Sequence, residues 1–182
     1  MNNSAEILPT VYLSVLLIIL GAIAVFVLLQ IVKTQRRETN FAKLQKKLKD
    51  GQGTAQDYYE LGGLYLDKKL FVQSTSLFEK GLKLSKVEPE NQALIYNALG
   101  YSYFAQEQYD LAIRNYKEAL KLYPEYTIAL NNLGNAYEKK QLIAQALEIY
   151  EQTLGHQPEN KVAQRRVESL RKRIVPTQPN KF

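Results

Sequence analysis

The sequence predicts an all-α protein: one N-terminal transmembrane helix, then a right-handed α-solenoid of three helix pairs, closed by a C-terminal capping helix. Three observations predict it. Residues 11–32 carry no charge; residues 93–126 and 127–160 align with each other without a gap; and residues 160–174 place apolar side chains at helical spacing.

Composition narrows the function classes. The 182 residues suffice for one modest folded unit plus appendages. There is no Cys, which excludes disulfides, thiolate nucleophiles and thiolate metal sites, and His156 is the only His. Thirteen Tyr with no Trp suits an aromatic-rich helical or repeat packing. The formal charge of +6 is unevenly spread. Residues 33–54 hold seven basic and two acidic groups, residues 55–160 ten and fourteen, and residues 161–182 seven and one. A mildly acidic body between basic flanks does not fit a nucleic-acid binder, whose positive surface belongs on the folded body.

The run "VYLSVLLIILGAIAVFVLLQIV" at 11–32 spans about 33 Å as a helix, enough to cross a hydrocarbon core of roughly 30 Å. Pro9 just before it fits a helix's first turn. A cleaved signal peptide needs a basic leader and a shorter apolar run, whereas residues 1–10 hold only Glu6. Lys33, Arg36, Arg37, Lys43, Lys46, Lys47 and Lys49 all follow the run, so the positive-inside rule directs the C-terminal side to the cytoplasm or its equivalent. An anchor beginning at residue 11 leaves no room for a transit peptide, which is the expectation for a plastid-encoded or bacterial chain.

Residues 33–49 read as helix, with Phe41, Leu44 and Leu48 on one stripe. Two uses fit: a basic amphipathic helix on an anionic leaflet, or a solvated stalk. "GQG" at 51–53 breaks it, and Thr54 with Asp57 three residues on is a cap for the next helix.

The repeats carry the strongest signal. Leu99–Gly100, Tyr103, Ala112, Tyr116 and Pro124 align with Leu133–Gly134, Tyr137, Ala146, Tyr150 and Pro158, and Ala119 with Thr153. A weaker copy has Tyr58, Leu61–Gly62, Tyr65, Ser74, Phe78 and Gly81, with about four extra residues before the next copy. This resembles the tetratricopeptide repeat. The resemblance implies two antiparallel helices per copy, with Gly and Ala letting the backbones approach and the aromatics filling the remaining space. The degenerate first copy and a terminal helix bearing Ala163, Val167, Leu170 and Ile174 fit the ends of such an array.

No catalytic constellation stands out, and no cofactor or metal site is expected. The glycines at 62–63, 100 and 134 fall inside helices rather than in a phosphate loop, His156 has no Ser or Thr partner, and the acids are scattered. Binding is the expectation. The resemblance implies a groove formed by Tyr59, Gly63 and Leu66, then Leu94, Asn97, Tyr101 and Phe104, then Ile128, Asn131, Asn135 and Glu138. Asn side chains can grip an extended backbone, and Tyr101 and Phe104 can anchor it. Such Asn are equally suited to meeting only water. Repeats that hold chaperone C-termini use cations in the groove; Tyr59, Gly63, Ala98, Ile128 and Asn132 offer none.

The stretches "YYELGGLYLDKK", "YNALGYSYF", "LNNLGNAYEKK" and "ENKVAQRRVESL", with the anchor and basic stalk, make the whole resemble the membrane-anchored tetratricopeptide photosystem I assembly factors of cyanobacteria and plastids. That resemblance implies a non-catalytic thylakoid protein with its repeats facing stroma or cytoplasm, and photosystem I subunits or other assembly factors as partners. The expected organisation is a lumenal tail (1–10), the transmembrane helix (11–32), a basic linker (33–54), a lengthened first repeat (55–92), repeats at 93–126 and 127–160, a capping helix (161–175) and a disordered tail (176–182). Rival expectations are a membrane-anchored receptor for secretion or import, and a self-associating scaffold.

Overall fold

The computed structural model describes residues 3–84 and 87–174, with side chains described from residue 11 onward. The expected disordered tail at 176–182 lies outside the described residues. Eight helices and no strands are found among them: α1 (Asn3–Lys49), α2 (Ala55–Asp67), α3 (Phe71–Leu82), α4 (Pro89–Ala105), α5 (Tyr109–Leu122), α6 (Thr127–Lys139), α7 (Ile143–His156) and α8 (Lys161–Ile174). The chain divides into two compact units, Met1–Lys46 and Lys47–Phe182.

In the first unit no interruption separates the apolar run from the basic stretch. The helix begins at Asn3, so Pro9 falls inside it rather than in the first turn, where the sequence reading put it. A Pro there removes one backbone hydrogen bond and leaves the helix to continue around it. From Val11, α1 is long and apolar enough to cross a membrane, and its most apolar window is wholly unburied.

In the second unit, Gly51 at φ +72 turns the chain out of α1. Thr54 then starts α2 with a capping box: its hydroxyl accepts from the Asp57 N–H at 3.2 Å, and the Asp57 carboxylate accepts from the Thr54 N–H at 2.8 Å. The Lys47 ammonium donates to both Asp57 oxygens at 2.7 and 2.8 Å. Burial pushes the Asp57 carboxyl up, but the hydrogen bonds from Lys47 and Thr54 outweigh it and leave it below its ordinary value.

Each repeat closes on one recurring fit. A Cβ on Gly100 would lie 2.6 Å from the Tyr116 ring, and one on Gly134 would lie 2.7 Å from the Tyr150 ring; the Phe78 ring occupies the corresponding place at Gly62. The ring of the second helix therefore fills the gap itself, and Phe78, Tyr116 and Tyr150 are all essentially fully buried. Ala112 and Ala146 are also fully buried. Ser74, at the equivalent place in the first repeat, is buried too and donates to the Gly62 carbonyl at 2.8 Å. That bond satisfies a hydroxyl where the other repeats hold a methyl. Thr153, aligned with Ala119, likewise donates to the Ile149 carbonyl at 3.0 Å.

Neighbouring repeats share one core. Tyr116, Leu133, Tyr137 and Tyr150 form a cluster that continues into Ala163, Val167 and Leu170 of α8, while Phe78, Ile95 and Leu99 join the first two repeats. Leu61 is buried, and Tyr65 and Tyr103 are half-buried. Pro124 and Pro158, expected with the packing set, are exposed. They sit in tight turns closed by Tyr126 N–H to the Tyr123 carbonyl and Asn160 N–H to the Gln157 carbonyl, so they act by fixing backbone geometry rather than by burial.

The turns inside the repeats are tighter still. Lys69, Glu107 and Gln141 adopt φ of 57, 59 and 59, each seven positions after the repeat's glycine. In each, the N–H of the following residue reaches back five positions, to Tyr65, Tyr103 or Tyr137. The side chains there carry a left-handed backbone that glycine would adopt without strain.

In urea unfolding of the repeat unit, Gly134→Ala lowers stability by about 1–3 kcal/mol because Tyr150 has nowhere to move. Gln141→Gly raises it by up to about 1 kcal/mol. For Asp57, a folded pKa below the unfolded value means stabilisation that is present above roughly pH 4 and lost as pH falls through the folded value. Asp57→Ala therefore costs about 1–2 kcal/mol at pH 7, and the gap to the parent closes in acid; a gap unchanged at pH 3 contradicts this.

Candidate peptide-binding groove

The first helices of successive repeats touch one another, α2 with α4 and α4 with α6, and α8 follows α7 as the first helix of a further repeat would. Their shared surface is the candidate groove. Leu94, Ile128 and Val162 recur at a spacing of 34 along it. Ile128 is 57% exposed and Val162 54%, while Leu94 is half-buried. Tyr101 is 48% exposed. Ile128, Val162 and Tyr101 are thus large side chains left about half exposed, the kind of feature that marks an interaction site.

The remaining candidates divide by what already holds them. Asn97 donates to the Tyr126 hydroxyl at 3.3 Å, and its carbonyl accepts from the Asn132 amide at 2.9 Å. Asn131 donates to Asn160 at 3.4 Å, and its own oxygen is buried without a partner. Asn97 thus ties the second repeat to the third through Asn132, while its bond to Tyr126 and that of Asn131 to Asn160 each close within one repeat. Glu138 is engaged too: it accepts from the Tyr150 hydroxyl at 2.9 Å and lies 3.6 Å from Arg166 Nε, with its side chain 14% exposed. Burial, then Glu138, push the Tyr150 hydroxyl well above the usual phenol range. Phe104 is half-buried edge-on to Tyr109 at 5.4 Å, and the half-buried Tyr59 ring lies 6.0 Å from Phe78. Asn135 is half-buried and makes no side-chain hydrogen bond among the described residues. Tyr101, Asn135 and Tyr59 are thus the candidates left to meet a partner, joined by Leu94, Ile128 and Val162.

Tyr126, Asn160 and Arg166 are participants that sequence reasoning missed; Asn132, expected only as an uncharged groove position, turns out to bond Asn97. A signal was present: Asn97 to Tyr126 and Asn131 to Asn160 are the same step along the repeat. Val162 could have been found by carrying the repeat frame into α8. His156 is exposed in the last turn of α7. Among the described residues, no group of three or more His, Cys, Asp or Glu comes together as a metal site.

This architecture is that of a tetratricopeptide-repeat protein. Family models described as tetratricopeptide repeat match residues 53–125 and 97–161. Among solved structures, MamA superposes with a TM-score of 0.68 at 23% identity, covering 74% of this chain and 76% of that one. YrrB, described as having an unusual peptide-binding site, superposes at 0.65 and 20% identity over 78% and 71%. The first repeat domain of Spaghetti (RPAP3), bound to the HSP90 peptide SRMEEVD, does so at 0.62 and 21% over 66% and 93%. These likenesses establish the fold.

The sequence relatives are more specific. The ycf37 protein of Cyanophora paradoxa is 36% identical over 159 residues, covering 87% of this chain and 92% of the relative. That of Guillardia theta is 34% identical over 170 residues, covering 93% and 96%. The chain belongs to the ycf37 family of cyanobacteria and plastids. It is also 33% identical over 168 residues to the chloroplastic repeat protein PYG7 of Arabidopsis thaliana, of which it spans 56%.

Proposed function

We propose that this protein is a thylakoid-anchored scaffold that holds segments of photosystem I subunits, or of other assembly factors, while photosystem I is put together. α1 crosses the membrane once, the short N-terminal tail faces the lumen and the repeats face stroma or cytoplasm. The row formed by Leu94, Ile128 and Val162, beside an exposed Tyr101, carries the binding part of the reading, because Ile128 and Val162 leave apolar surface in water at the same repeat position of α6 and α8. Family membership supports the setting, as does the run of basic residues that follows the apolar stretch of α1.

The mechanism requires no chemistry on the partner. Confinement to the membrane raises the local concentration of the groove where subunits arrive, so weak capture of an extended segment suffices. The exposed Lys and Arg of α1 can add contact with anionic lipid, each worth on the order of 1 kcal/mol near such a surface.

Deleting the gene in a photosynthetic host should lower photosystem I while leaving photosystem II and secretion intact. A strain carrying Tyr101→Ala with Ile128→Asp should reproduce that loss, with an unchanged circular dichroism spectrum of the purified protein. Normal photosystem I in both strains, or a secretion defect in its place, overturns the assembly role.

A further inference from the structure

The first repeat junction differs from the second in a way that builds a pocket. In the repeat frame Thr127, where α6 begins, corresponds to Ala93, yet α4 begins at Pro89. The extra residues thus give α4 an additional first turn, and it runs 17 residues against 13 for α6. That turn and the start of α2 enclose a cavity of about 190 Å³. Ala55, Tyr59, Leu94 and Ile95 give it apolar walls, and Glu88 and Asn91 stand among the residues around it. Ile95 is buried, Tyr59 and Leu94 are half-buried, and Glu88 and Asn91 are exposed.

Size and charge select the occupant. An apolar cavity of ~150 Å³ can hold benzene, so this one has room for a single leucine or phenylalanine side chain and not for a helix. Glu88 and Glu90 are exposed and form no ion pair among the described residues. Glu60, on the neighbouring face of α2, is bound by the Gln56 amide at 3.0 Å, and Gln56 also lines the cavity. Glu88, an exposed carboxylate in the wall of an apolar pocket, complements a cation beside an apolar side chain. Tyr59 and Leu94 are also groove positions, so the cavity opens where the apolar row begins.

We propose that this cavity seats one aliphatic or aromatic side chain of an extended partner segment, with a Lys or Arg next to it in the partner meeting Glu88. The proposal rests on the groove reading above and supplies its anchor point at the first repeat.

The test uses the full chain in neutral phosphatidylcholine nanodiscs and two photoreactive probes, acetyl-Lys-photoleucine-Lys amide and acetyl-Glu-photoleucine-Glu amide. Crosslinks mapped by mass spectrometry should fall within 54–59 and 87–95, with the basic probe favoured about two- to fivefold, the range of an exposed charge pair. Glu88→Gln should bring that preference close to one. Asn91→Trp, which fills the mouth, should remove labelling from both segments. Equal labelling by the two probes, or labelling that Asn91→Trp leaves unchanged, overturns the proposal. If Asn91→Trp loses its helical circular dichroism, the exposed Glu88→Gln decides alone. A negative result here, alongside partner crosslinks from a probe at Ile128, removes this anchor and leaves the groove reading standing; loss of both removes the groove reading.

Discussion

In each repeat a ring from the second helix occupies the space that a Cβ would need on the first. Tyr116 against Gly100 and Tyr150 against Gly134 set how near the two helices lie. The rest of the repeat unit depends on that distance. It brings Ala112 and Ala146 into the core, places Leu133 and Tyr137 against the next pair, and lets α8 close the stack with Ala163, Val167 and Leu170. A close-packed interior of this kind tolerates little added volume. Because the inward faces are committed to packing, the proposed function is assigned to the opposite faces of the first helices.

That division explains why the groove is not simply a row of asparagines. Asn97 joins the second repeat to the third through Asn132, Asn131 is bonded to Asn160 at the end of its own repeat, and Glu138 satisfies the hydroxyl of the same Tyr150 that fills the glycine gap. An unsatisfied buried polar group costs about 1–3 kcal/mol, so Asn97 and Glu138 are held by the fold before any partner arrives, whereas the Asn131 oxygen is left without a partner. Under the proposed function, recognition falls to exposed Tyr101, to the row of Leu94, Ile128 and Val162, and to Asn135.

The repeat itself was legible because its spacing is mechanical: the Leu-Gly pair, the Tyr three residues on and the aromatic sixteen after the glycine recur in register. The Thr54–Asp57 cap was legible for the same reason, as a local pattern with a single geometric meaning. Periodicity does not reveal which side chains already have partners. Glu138 looks like a groove acid until the Tyr150 hydroxyl is found beside it. Ser74 looks like degeneracy until its bond to the Gly62 carbonyl shows a hydroxyl serving where a methyl would. The four extra residues of the first repeat showed as a spacing anomaly, but only the fold shows that they become a helical turn walling a cavity.

The most direct test of the account places a photo-crosslinking residue at Ile128 in intact photosynthetic membranes, with Gln145, exposed on α7, as the control position. The account predicts crosslinks from 128 to a photosystem I subunit or another assembly factor, and few from 145. Crosslinks from 145 alone, or none from 128 while photosystem I is assembling, would contradict it.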